Sequence, residues 1–155
     1  MFKIRLVCVG KIKEKFYSDA VGEYLKRLGR FADVSVTEIP ECTFRGTDQI
    51  GTILRTEGEA ILRAAKGYLA VLAVEGGKMS SPGFSDFLTS VRDGGNSCLT
   101  FVIGGSYGVH ESVKRAADRL ISFSDMTFPH MLMRVILAEQ IYRGFMIAAD
   151  SEYHK

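Results

Sequence analysis

Five times along this chain an apolar run of strand length is followed by an amphipathic run of helix length, with no linker, repeat or low-complexity stretch between them. That alternation leaves few folds. Successive strand–helix units bring their strands together in parallel, with the helices on the faces of the sheet. The first strand falls at 2–10 and the first helix at 14–29, where Tyr17, Val21, Tyr24, Leu25 and Leu28 recur at helical spacing before Gly29. Residues 32–39 alternate as a second strand and stop at Pro40. The helix over 47–67 sets Ile50, Ile53, Leu54, Ile61 and Leu62 on one face, with Thr47 or Asp48 as its cap. "YLAVLAVEG", 68–76, is apolar without alternation, as befits a strand covered on both faces. Ser81 and Pro82 fit the N-cap and first turn of the next helix, which Gly94-Gly95 end. Strands at 98–103 and 120–124 and helices near 110–119 and over 129–148 complete the order, the last with Met133, Ile136, Leu137, Ile141 and Phe145 inward. The expectation is one α/β domain over 1–155, mainly parallel, with helices on both faces of the sheet. Ligands of such sheets bind beyond the carboxyl ends of the strands, which singles out the loops 75–81, 104–109 and 124–130.

At 155 residues the chain can bury a real core, and no apolar run approaches the roughly 18 residues that span a bilayer. The first residues lack the order of a signal peptide. Cys8 and Cys98 sit in strand patterns and Cys42 in a loop, an odd and scattered set that suits reduced thiols in the cytoplasm. No Cys or His pair has metal-ligand spacing, so no metal is expected. Net charge is +2, but residues 1–30 hold eight Lys and Arg against three acidic residues. Most such clusters are solvated helix faces; a nucleic-acid footprint is the sharper alternative.

The stretch "CLTFVIGGSYGVHES", 98–112, is a strand, a glycine loop and a helix start. It is not a P-loop: Gly77-Lys78 is followed by Met79, and Leu72 stands where the first glycine should. Nor is it a dinucleotide fingerprint, because Gly104, Gly105 and Gly108 have the wrong spacing and follow the fourth strand. Ser106 lacks a nucleophile elbow. His110 suits a helix cap, whereas His130 stands at the mouth of a strand-to-helix loop.

"FVIGGSYGVHESV", "SFSDMTFPHMLMRVILAEQIYRGFMI" and the terminal "YHK" closely resemble the RlmH family. These are small SPOUT-class methyltransferases that modify a pseudouridine of bacterial 23S ribosomal RNA. "VGKIKEKF", "EYLKRLGRF" and "LAVEGGKMSS" follow the family in matching order, so the likeness spans the chain. The resemblance implies a C-terminal trefoil knot at about 70–155, a homodimer in which the two knot regions pack together, and S-adenosylmethionine held in the knot.

Carried over by motif, the cofactor pocket takes Leu72, Gly104 and Gly105, with the loop Phe123, Ser124, Asp125, Met126, Thr127 and Phe128. Adenine needs apolar walls and backbone partners, and glycines permit close approach; a side chain at Gly105 is expected to enter that space. Met126 and Phe128 fit a core as readily as a pocket. The RNA side takes His130, Arg134, Arg143, Tyr153 and His154, with His130, Arg134 and His154 as the catalytic candidates. Arg134 and Arg143 lie about 180° apart on one helix, so they serve one site only across a dimer. Arg143 also stands four residues from Glu139, a plain helical ion pair. The reaction implied is methyl transfer to N3 of pseudouridine, whose proton must leave. A non-catalytic ribosome-binding module with a vestigial pocket is the alternative.

Overall fold

The computed structural model describes residues 1–42 and 49–150. Its elements run β1 (Lys3–Val9), α1 (Lys15–Leu28), β2 (Asp33–Ile39), α2 (Ile50–Ala64), β3 (Tyr68–Lys78), α3 (Ser81–Asp93), β4 (Cys98–Ile103), α4 (Glu111–Ala116), β5 (Arg119–Ser122) and α5 (His130–Ala148). The sheet order is β2-β1-β4-β3-β5 and every pairing is parallel. The α/β architecture expected from the alternation is therefore the one observed.

The period of two along each strand divides the interior. Ile4, Leu6, Cys8, Leu99 and Phe101 point to one face, where α3 and α5 cover them with Phe84, Leu88, Leu137 and Ile141. Val7, Val9, Leu69, Val71 and Val102 point to the other, under Ile61 of α2 and Val113 of α4. All six residues of β4 are buried, as its two-sided cover demands. Each large apolar side chain shut in this way contributes roughly 1.5–3 kcal/mol.

Several boundaries differ from the expectation for physical reasons. The α3 cap is Ser80, whose Oγ accepts from the Gly83 amide at 3.1 Å, so Ser81 is already helical. The expected Thr47 or Asp48 cap of α2 lies outside the described residues. β3 runs on to Lys78 because it bulges between Leu72 and Gly77 and pairs with β5 a second time. At that crossing a Cβ on Gly76 would stand 2.6 Å from the Ile121 amide nitrogen, so the close approach requires glycine. Ile136 is only half-buried rather than core; with Phe84, Phe123 and Gln140 it lines a shallow cavity of about 300 Å³.

Candidate active site

A second cavity, of about 360 Å³, opens at the carboxyl ends of β3, β4 and β5. Leu72, where β3 begins to bulge, and Ile103 and Ile121, the last apolar residues of β4 and β5, form its floor. One wall is the loop after β4. There the Gly108 amide donates to the Gly105 carbonyl at 3.1 Å, and Gly108 has a φ of +83°. A Cβ on Gly104 would lie 2.6 Å from the Gly108 carbonyl oxygen. Gly104 is thus needed for the loop to close on itself. The expectation for Gly105 is corrected. Its Cβ would point away from the cavity, reaching Val9 Cγ1 at 3.0 Å and Glu57 Oε1 at 3.7 Å. A side chain there strains the core beneath the loop before it obstructs any ligand.

The opposite wall is the loop 122–128, which short polar bonds hold in shape. Ser122 Oγ donates to the Ser124 carbonyl at 3.1 Å, and the Met126 amide donates to Ser124 Oγ at 2.9 Å. Phe123, Ser124, Met126, Thr127 and Phe128 all line the cavity together with Leu72, Gly104 and Gly105. Asp125 does not; its carboxylate takes the Lys78 ammonium at 2.5 Å on the exposed side. Met126 is 73% exposed, which settles it outside the core.

Sequence reasoning missed Glu75 and Lys114 at the rim, paired at 2.5 Å. The Lys114 hydrogen bond holds the Glu75 carboxyl below its usual range and raises the Lys114 ammonium in return. The signal was available: Glu75 is the first charge in an otherwise apolar strand, near the end where ligands sit. His110 is the cap of α4, as its position suggests, its Nδ1 accepting from the Ser112 amide at 3.1 Å.

His130 opens α5 and lines the cavity. Gly10, with φ +94°, lies beside it: a Cβ there would stand 3.6 Å from His130 Nε2. Arg134, one turn further along α5 and expected at the acceptor, is placed otherwise. It is 1% exposed. Its Nη1 donates to Glu38 Oε2 at 2.7 Å and its Nη2 to the Gly10 carbonyl at 3.0 Å, tying α5 to the ends of β1 and β2. A guanidinium so enclosed holds the strands that carry the site and is closed to solvent.

Partial burial pushes the Glu38 carboxyl upward, but hydrogen bonds from Arg134 and the Ile12 amide, with the Arg134 and Lys11 charges, outweigh it and leave it below the usual range. Glu57 nearby behaves oppositely. It is 5% exposed, and burial raises its carboxyl despite the Cys42 amide at 3.1 Å, with the Glu41 charge adding to the rise. Burial also pushes the Cys8 thiol up to about 11, with Arg134 opposing and Glu38 reinforcing, so it is no nucleophile at neutral pH. Arg143 pairs with Glu139 at 2.7 Å. Tyr153 and His154 lie outside the described residues. Among the described residues no group of three His, Cys, Asp or Glu side chains could hold a metal ion, and no helix is long and apolar enough to cross a membrane.

Comparison with known proteins agrees with this geometry. A family model described as predicted SPOUT methyltransferase matches residues 2–154. The ribosomal RNA large subunit methyltransferase H of Lactobacillus helveticus is 45% identical, over 98% of this chain and 99% of its own. Its namesake from Streptococcus uberis is 44% identical over 99% of each chain. Among solved structures, a probable methylase family protein from Haemophilus influenzae superposes with a TM-score of 0.56 at 9% identity, covering 98% of this chain and 70% of that one. A putative methyltransferase from Legionella pneumophila, solved with bound SAM, gives 0.51 at 12% identity, covering 93% of this chain and 66% of that one. At such identities these structures speak to the fold.

Proposed function

The chain belongs to the SPOUT methyltransferases, and on that premise we propose that it transfers the methyl group of S-adenosylmethionine to N3 of a pseudouridine in 23S ribosomal RNA. It is a methyltransferase of large-subunit ribosomal RNA, as its relatives' names state of them, and its cofactor is S-adenosylmethionine, which a structural neighbour holds. The observation that carries the reading is the cavity. Apolar side chains floor it, glycine backbone walls one side, and a hydroxyl-bearing loop walls the other, in a volume suited to a nucleoside-sized ligand.

The residues present fit that cofactor. Leu72, Ile103 and Phe128 offer apolar contact for adenine, while the backbone of Gly104 and of 124–127 offers donors and acceptors. When bound, S-adenosylmethionine supplies an electrophilic methyl on a sulfonium. The walls then exclude water and orient the acceptor, a positional effect that can carry much of the acceleration. In this proposal His130, which lines the cavity, accepts the N3 proton as the nitrogen attacks. Arg134 takes a holding role through Glu38 and Gly10.

Tyr153 and His154 complete the acceptor side in this proposal: an aromatic ring to stack on a base and an imidazole to contact it or a phosphate. Arg143 joins them from a neighbouring protomer. A homodimer formed through α5 accords with its half-buried Leu132, Val135 and Ile136, and the ribosomal substrate puts the reaction in the cytoplasm. The reading of about 70–155 as a trefoil knot rests on the family to which the chain belongs.

The test is mass spectrometry of 23S RNA from cells with and without this protein, joined to methylation of purified large subunits in vitro. One N3-methylated pseudouridine should vanish in the deletion and return on treatment. An unchanged modification profile overturns the proposal. Removing residues 152–155 should leave S-adenosylmethionine affinity, by calorimetry, and dimer mass, by light scattering, unaltered while methylation falls at least about tenfold, on the premise that a few terminal residues add little to a core. Full activity of the truncated chain would return the acceptor side to His130.

A further inference from the structure

We propose that Phe16, with Lys11 and Lys13 ahead of it, forms a platform on which an unpaired base of the RNA substrate stacks; this rests on the reading of the protein as an RNA methyltransferase. Phe16 is 66% exposed, and every other phenylalanine among the described residues is buried or half-buried. Its neighbour in the helix supports it: the rings of Phe16 and Tyr17 lie 4.4 Å apart between centroids, inclined by 55°. Packing does not explain such a ring. The core that α1 joins lies further along, at Val21 and Leu28.

Charge chooses the occupant. Residues 11–16 read KIKEKF, and Lys11, Lys13 and Lys15 are all exposed. Lys15 is held by Asp19 at 2.6 Å, so Lys11 and Lys13 are the better placed for a phosphate. Exposed lysines beside an open aromatic ring are what single-stranded RNA binds: cations follow its backbone and every base has a face that stacks. Location agrees. The segment begins at Gly10, which abuts His130 and Met131 at the start of α5, and His130 lines the cavity. From Gly10 to Phe16 the chain spans about 20 Å at most, so the platform lies on the His130 side of the cavity, within reach of the same RNA.

The experiment uses the full chain and large ribosomal subunits from cells lacking the protein. Methylation kinetics and filter retention of the subunits are measured for the wild type and for Phe16→Ala, Phe16→Leu and Phe16→Tyr, with calorimetry of S-adenosylmethionine and light scattering alongside. Expected are a KM for subunits raised about tenfold in the Ala and Leu variants, the size of one lost stacking contact, and near wild-type behaviour of the Tyr variant. Turnover at saturating subunits, cofactor affinity and dimer mass should not move. A Phe16→Leu variant equal to wild type in KM and retention overturns the platform and leaves the methyltransferase reading standing. A fall in dimer mass in Phe16→Ala also overturns it, because the face would then be a contact between copies. If the wild type retains subunits in a Phe16-dependent way yet transfers no methyl group, the platform stands and the reading of the function fails.

Discussion

The two ends of the sheet's carboxyl edge are built in different ways. Over β3, β4 and β5 the backbone shapes the site: glycines close one loop, Ser122 and Ser124 hold another, and apolar strand ends make the floor. Over β1 and β2 charge does the shaping, as Arg134 clasps Glu38 and the Gly10 carbonyl beneath the start of α5. The first arrangement leaves space; the second removes it. A cofactor needs the former, whereas a histidine that must stay in position beside it needs the latter.

The contrast is broken most severely at Arg134. Arg134→Met should lower unfolding stability by about 3 kcal/mol, because the Gly10 carbonyl and the Glu38 carboxylate lose their shared partner. Denaturant titration of the ligand-free protein reads this. Unchanged stability with lost turnover would make Arg134 a substrate residue after all. Arg134→Lys should recover only part of the loss, since an ammonium cannot reproduce the fork.

Next in size is a pair of loop variants. Gly104→Ala should weaken S-adenosylmethionine binding by more than about tenfold, because the loop must rebuild around a 2.6 Å collision and lose its closed shape. Gly105→Val should instead cost roughly 1–3 kcal/mol of stability in the absence of cofactor, as its branches crowd Val9. Calorimetry and thermal melting separate the two. Equal effects of both on affinity and melting would abolish the distinction between a wall and its underpinning.

The smallest effect is on pH dependence, and its sign differs between two nearby carboxyls. Glu38 is held low, so its contribution is complete above the ordinary value of about 4.5 and is lost as pH falls through its folded value. Glu57 is held high, so its contribution is complete below about 4.5 and is lost as pH rises through the raised value. In denaturation midpoints from pH 3 to 8, the deficit of Glu38→Gln should shrink toward acid, whereas Glu57→Gln should gain on the wild type toward alkali. Parallel curves for the two variants would mean that Arg134 does not distinguish them.

Periodicity alone determined the order of strands and helices, because a period of two or 3.6 is written wherever one face is buried. The loops 104–109 and 124–130 were legible for a related reason, since ligands of a parallel sheet sit beyond its carboxyl ends, while the individual pocket residues came from the resemblance. Arg134 shows the limit. An arginine one turn after His130 in an apolar helix has the same appearance in sequence whether it faces substrate or core. Only when β1 and β2 lie side by side do Glu38 and Gly10, which stand 96 and 124 residues away, enclose it. Gly105 teaches the same lesson, since the direction of a missing Cβ depends on the backbone around it and on Val9 from a different strand. Local chemistry fixes which residues can serve a site, and long-range packing decides which way each one faces.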